Sequence, residues 1–407
     1  ATKNLHLTAA IEATDADSLL SFNNEGFTVG SKSDVNGADE TYVAWTWKAG
    51  GIAPTQTYAV TVVEDGGQKY YRFDGNSTNA LTLNLQEGGT YTFDQSDSTN
   101  ALGGAAHPLR FSTTSDGTHG GGSQYTTGVT TTGTAGQAGA KTVITVAHGA
   151  PTLYYYCSSH SGMGGQANTT ATHGSSNFKG TIPAIVSANP TAGFSIIRWN
   201  NNGTAGTVGH GLTSTPELIT VKNMDYSLAN WYTWTKFTTN DKVLFLNAAN
   251  AETASANAFT EGSMTATTIG VGTERVTNGS GSGEDLLAYA FHSVDGFSKV
   301  GRYYGNGNAN GVFVHTGFRP SWVLYKNSTS ANGWFLLDTI RDDRDFIQNT
   351  FLRPSTDDDE DTAANSKADF LSNGFKLRGN GGDVNTLNNT YVYLAFADAP
   401  FKFANAR

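Results

Sequence analysis

Two phrases of this sequence recur, and a chain that repeats itself folds as repeats. Gly26-Phe27-Thr28-Val29 returns as Gly374-Phe375-Lys376-Leu377. Each is followed by Val-Asn (Val35-Asn36; Val384-Asn385) and then by Thr-Tyr-Val (Thr41-Tyr42-Val43; Thr390-Tyr391-Val392). Both copies end in an aromatic run, Val43-Ala44-Trp45-Thr46-Trp47 and Tyr393-Leu394-Ala395-Phe396, and a weaker third copy ends at Leu287-Ala288-Tyr289-Ala290-Phe291. We term this pattern the closing half. A second pattern, the opening half, leads from Phe194-Ser195 through His210-Gly211-Leu212, Pro216 and Lys222-Asn223 to Trp231. It returns from Phe297-Ser298 through His315-Thr316-Gly317-Phe318, Pro320 and Lys326-Asn327 to Trp334. The order is therefore a closing half (1–51), other sequence (52–179) and two complete repeats (180–296 and 297–407).

The repeats read as β-structure. Glu217-Leu218-Ile219-Thr220-Val221 and Ser321-Trp322-Val323-Leu324-Tyr325 are short apolar runs just after a proline, the mark of core strands. Gly is frequent (48 residues), Pro sparse (9), and only 15% of residues are charged, against a usual share of about 25%. Disorder is excluded by the 38% apolar content and the many aromatic residues. The predicted class is all-β, with tandem sandwiches of about 100 residues each. Short helices are expected only at Ala248–Ala258 and Asp342–Leu352. Residues 1–51 alone would leave a sheet edge and an apolar face in water. They need completion by upstream sequence, a neighbouring subunit or another domain.

A net charge of −10 without any Lys/Arg-rich run argues against a nucleic-acid or anionic-membrane partner. No stretch approaches the roughly 18–20 apolar residues of a membrane-spanning helix. No signal peptide is evident, and a first residue of Ala rather than Met fits processing or a fragment. One cysteine, Cys157, excludes an intrachain disulfide framework. The nucleophile-elbow, zinc-protease and phosphate-loop motifs are absent, and no carboxylate pair stands out, so the reading is non-enzymatic. His210 and His315 recur at matching places and are read as turn residues of the repeat. Thr356-Asp357-Asp358-Asp359-Glu360-Asp361 lacks the spacing and central Gly of a calcium loop and is read as a solvated acidic loop.

Residues 55–170 differ in character. Alternating strands (Tyr58–Val63, Leu81–Leu85, Thr90–Phe93) precede His107-Pro108-Leu109-Arg110-Phe111, and later comes Tyr154-Tyr155-Tyr156-Cys157-Ser158-Ser159-His160-Ser161-Gly162-Met163. An upstream His followed by Cys-x2-His-x2-Met is the ligand order of a type 1 copper site, with a thiolate and two imidazoles in a trigonal set and a weak axial thioether. This stretch resembles the cupredoxins, and its short loop is similar to that of amicyanin. The resemblance implies a Greek-key β-sandwich with His107 and His160 as imidazole ligands, Cys157 as the thiolate and Met163 as the axial ligand to copper. It also implies that Thr90–Phe93 and Leu153–Cys157 form the core strand pair. A module of the same shape with vestigial ligands remains the alternative. The Gly/Thr-rich insert Ser112–Gly139 departs from a compact electron carrier, and His119 and His148 are expected to be exposed loop residues.

The repeats carry a second resemblance. Ile185-Val186-Ser187-Ala188-Asn189-Pro190-Thr191-Ala192-Gly193-Phe194-Ser195, Val208-Gly209-His210-Gly211-Leu212 and Tyr393-Leu394-Ala395-Phe396-Ala397-Asp398-Ala399-Pro400-Phe401-Lys402 are similar to modules in tail and other virion proteins of marine bacteriophages. Those are lectin-like, concanavalin-type sandwiches. The resemblance implies an extracellular virion component on the tail or particle surface. It also implies self-association, with a trimer as one form, contact with other virion proteins, and a host glycan or protein as receptor. No sugar site is assigned: Trp199, Trp231, Trp234, Trp322 and Trp334 are available, but the repeat-matched Trp231 and Trp334 are read as core. The alternatives are a copper redox protein carried on sandwiches and a bacterial surface adhesin or filament module.

Overall fold

The computed structural model describes residues 2–398 except 6, 8–12, 24–25, 51–53, 171–173, 280, 282, 343–346, 357 and 363–366. It is all-β, built of several sheets packed in layers. Residues 2–50 hold two hairpins, β1 (Thr2–Asn4) with β2 (Ala13–Asp15) and β3 (Leu19–Asn23) with β4 (Gly26–Val29). A one-turn helix, α1 (Ser33–Asn36), follows, and residues 41–50 join no ladder.

The central module contains β5 (Thr55–Asp65), β6 (Gln68–Phe73), β7 (Leu83–Gln86), β8 (Thr90–Asp94) and β9 (Leu109–Ser112). Its later strands are β10 (Gln124–Tyr125), β11 (Val129–Thr132), β12 (Lys141–Thr145), β13 (Leu153–Cys157) and β14 (Gly165–Thr170). Two five-stranded sheets result, β10-β9-β13-β14-β7 and β11-β12-β8-β5-β6. Period-2 alternation decides which side chains enter: Tyr58, Val60 and Val62 of β5 are buried while Thr57 and Ala59 face out. Aromatic rings fill the space between the sheets. Phe73 alone meets Tyr58, Phe93, Tyr155 and Phe178 at 5.2–6.0 Å. The Tyr-rich strands β8 and β13 lie in opposite sheets, so they meet through side chains and share no ladder.

The third part contains β15 (Ser175–Asn177), β16 (Ala184–Asn189), β17 (Phe194–Asn200), β18 (Gly206–Gly209) and β19 (Leu218–Asn223). It continues with β20 (Tyr232–Thr235), β21 (Lys242–Phe245), β22 (Thr253–Ala254), β23 (Thr268–Val271) and β24 (Asp285–Phe291). The last contains β25 (Ser298–Tyr304), β26 (Phe313–His315), β27 (Pro320–Asn327), β28 (Trp334–Asp338) and β29 (Thr350–Leu352). It ends with β30 (Asp361–Thr362), β31 (Ala368–Leu371), β32 (Gly374–Leu377) and β33 (Thr390–Ala397). The large sheets run in corresponding order, β17-β24-β19-β20-β21-β22 and β25-β33-β27-β28-β29-β30. In each, the final strand of the closing half is inserted between two strands of the opening half. Small sheets, β18-β23 and β26-β32-β31, complete the sandwiches.

The parts stack through their large sheets. Leu218 and Leu244 share a buried cluster with Trp322, Leu324, Leu336, Val392 and Leu394, and Trp45 and Trp47 pack against it. Phe396 touches both Trp47 (5.6 Å) and Phe291 (6.1 Å), so the equivalent aromatic residue of all three closing halves meets in one place.

Three sequence expectations are corrected. Ala248–Ala258 is turn and strand, because Thr253–Ala254 pairs with Lys242–Val243. The described part of Asp342–Leu352 ends in β29 rather than a helix. His210 and His315 are not equivalent: matching Val208 to Val314 aligns His210 with Thr316. His210 is buried against the Thr265 carbonyl and burial lowers its pKa to about 4, whereas His315 is exposed.

Candidate metal centre

Strand register builds the site. In the β9–β13 ladder Cys157 sits opposite Leu109, which brings His107, two residues upstream, beside the cysteine. Beyond Cys157 the chain turns back, and His160 enters from that loop. His107 Nδ1 and His160 Nδ1 lie 3.0 Å apart, and Cys157 Sγ lies 3.9 Å from the first and 3.6 Å from the second. Among the described residues this is the group of His, Cys and acidic side chains close enough to hold an ion. His107 and Cys157 are fully buried and His160 is half-buried. Met163 is buried in the same core, and its carbonyl accepts the Tyr71 N–H (3.2 Å).

Polar residues without motif character hold this cluster. The Leu102 carbonyl, 3.0 Å from His107 Nε2, takes that proton and leaves Nδ1 as a bare donor facing the sulfur. Gln95 donates to the His107 carbonyl (2.8 Å) and accepts from Leu109 N–H (3.0 Å), clamping the backbone on both sides of Pro108. Tyr71 OH donates to the same His107 carbonyl, and Asn100 accepts the His107 N–H on its own carbonyl. Burial chiefly lowers the His107 pKa, helped by the nearby His160 and Lys69 and opposed by the Leu102 carbonyl.

The insert contributes too. Asp116 accepts from Ser161 Oγ (2.6 Å) and Gly162 N–H (3.0 Å), pinning the loop that carries His160. His119 is exposed yet reaches the Cys157 carbonyl at 3.0 Å. Gly117 permits this close approach: its φ is +55°, and a Cβ there would sit 2.4 Å from the Tyr156 ring. His148 is exposed and pairs with Glu87.

The donor set fits a soft or borderline cation. An ion about 2.0–2.3 Å from each nitrogen and sulfur would set donor separations of roughly 3.3–3.7 Å. The Cys157–His160 separation of 3.6 Å falls in that range, while the two nitrogens, at 3.0 Å, stand closer and Cys157 and His107, at 3.9 Å, slightly farther apart. The two Nδ1 atoms and the sulfur stand close enough that a proton or a cation between them relieves the repulsion of their lone pairs.

The model of a domain family of unknown function, DUF7483, matches residues 1–93 and 97–400. The chain belongs to the DUF7483 family. The DUF7483 match crosses the junctions on both sides of the central module, so the partial repeat, the inserted module and the complete repeats all fall within it. No curated protein and no solved structure matches the chain.

Elsewhere in this DUF7483 chain the other sequence candidates are structural. Trp199, Trp231, Trp234, Trp322 and Trp334 are all buried and present no aromatic platform to a sugar. In the acidic loop, Asp358 pairs with Arg353 and Glu360 with Arg341, while Asp357 lies outside the described residues.

Proposed function

We propose that this chain is a non-enzymatic structural component of a bacteriophage particle, exposed on the tail or particle surface, whose central module holds one copper ion. The metal reading is supported by one observation: buried His107 and Cys157 and half-buried His160 bring two imidazole nitrogens and one sulfur within 3.9 Å of one another. Those three residues would hold the ion, with Met163 as the weak fourth ligand. Copper bound there supplies one-electron redox chemistry. The chain's own contribution is to exclude water, fix the His107 tautomer through Leu102 and pin the loop through Asp116.

The scaffold reading rests on the resemblance of the repeat phrases to virion modules. It is supported by sheets stacked face to face through a shared aromatic cluster, an arrangement suited to an array. Exposed loops at the module ends would meet other virion proteins, a second copy or a host surface.

Adding Cu(II) to the purified chain should produce an intense thiolate-to-copper absorption in the visible range, lost in Cys157→Ser. A colourless mixture retaining no copper after gel filtration would overturn the metal reading. Mass spectrometry and a map of purified phage particles should place the chain at the tail or surface. Finding it instead in a bacterial filament would overturn the virion reading and favour the adhesin.

A further inference from the structure

The partial repeat at the start of the chain already has the local structure of a complete one. Hairpin β3–β4 corresponds to β31–β32. Asn36 Nδ2 donates to the Gly30 carbonyl (2.9 Å), as Asn385 Nδ2 donates to that of Gly379 (3.0 Å). Tyr42 OH accepts from Gly37 N–H (2.7 Å) and donates to the Ser33 carbonyl; Tyr391 OH accepts from Thr386 N–H (2.9 Å) and donates to that of Gly382. Hairpin β1–β2 corresponds to β29–β30, which follows the opening half in the complete repeat.

What differs is the cover. In the complete repeat β32 pairs with β26, β29 pairs with β28, and β33 lies between β25 and β27. In the partial one β4 pairs only with β3, β1 only with β2, and residues 41–50 join no ladder, among the described residues. Phe22, Phe27 and Tyr42 are 76%, 38% and 47% exposed; their counterparts Phe370, Phe375 and Tyr391 are 5%, 1% and 0% exposed. Tyr391 stacks on Tyr303 of its opening half at 4.8 Å. Asn385 also bonds Asn306 and Asn308 of that half.

We propose that β1, β4 and residues 41–47 form the docking face for an opening half: a segment patterned like residues 297–349, joined ahead of β1, that adds strands on both sides of residues 41–47 and beside β4. A second copy does not suit this face, because both opening halves in the chain already hold their own closing halves. The stacking side is already in place, since Trp47 sits against Phe396 and Trp322. The inference does not depend on copper or on the virion reading.

The test compares the chain of residues 1–407 with a graft carrying a copy of residues 297–349 directly ahead of Thr2. Backbone amides of 41–47 should exchange near free-chain rates in the first protein, while those of β24 and β33 are protected. The graft should slow them by on the order of a hundredfold or more. Phe27→Ser should leave the melting temperature of the 1–407 chain unchanged and abolish the protection in the graft. Protection of 41–47 in the 1–407 chain itself, as monomer or oligomer, would overturn the proposal. So would a graft that leaves their exchange fast, or a Phe27→Ser chain that melts several degrees lower.

Discussion

Lys326→Met isolates the cost of a buried charge that the repeats carry at one matched strand position. Lys222 and Lys326 are both fully buried in the strands β19 and β27, and burial lowers each ammonium to about 8. Lys326 Nζ donates to the carbonyls of Asn327 (2.6 Å) and Ala249 (3.4 Å), and Asp383 supplies the opposing charge. The folded chain therefore sheds this proton near pH 8, the unfolded chain near its ordinary 10.5. Between those values the unfolded state binds more protons, so this lysine makes stability rise with pH. At about 1.4 kcal/mol per pH unit for each excess proton, the gain from about pH 8 to about pH 9.5 is roughly 1.5 kcal/mol. Buried tyrosines pull the other way as the unfolded chain ionises, so the readout is the difference between two proteins. Urea unfolding followed by tryptophan fluorescence should show wild type gaining about 1.5 kcal/mol on Lys326→Met across that interval. Parallel stability curves for the two proteins would refute the reasoning.

Two further outcomes are expected. Phe73→Ala removes a ring that touches four others in the central core and should cost about 3–5 kcal/mol, seen as lost hydrogen-exchange protection in β8 while β33 is unaffected. Gln95→Ala releases the backbone on either side of Pro108 and should weaken Cu(II) binding about 10–100-fold in a competitive titration, with the fold retained.

The recurring strand order and the convergence of His107, Cys157 and His160 were legible because each rests on spacing along the chain. Phe, Gly, Pro and Trp recur where strands start, turn and pack, and Cys-x2-His-x2-Met falls within one loop. The supports of the triad were not legible. Gln95, Asn100, Tyr71 and Asp116 reach His107 and the His160 loop only through sheet register and a folded insert, and none sits in a pattern of its own. Helix propensity misled at Ala248–Ala258, where pairing with Lys242–Val243 overrides a run of small residues. The one-residue slip between His210 and His315 shows in the ladders, where Val208 and Val314 are both buried in equivalent small sheets. Hairpin β1–β2 went unread because its sequence shares little beyond Thr2 with its counterpart.

The insertion of the last strand into the middle of each sheet has a kinetic side. β19 ends at Asn223 and β24 begins at Asp285, so during synthesis the sheet waits for its central strand. At about 5–20 residues per second that interval lasts roughly 3–12 s. For that time β17 and β19 present bare edges to every other nascent chain nearby. Once β24 is seated, both of its edges are paired, and removing it requires breaking two ladders together. A fold closed in this way is slow to make and slow to undo.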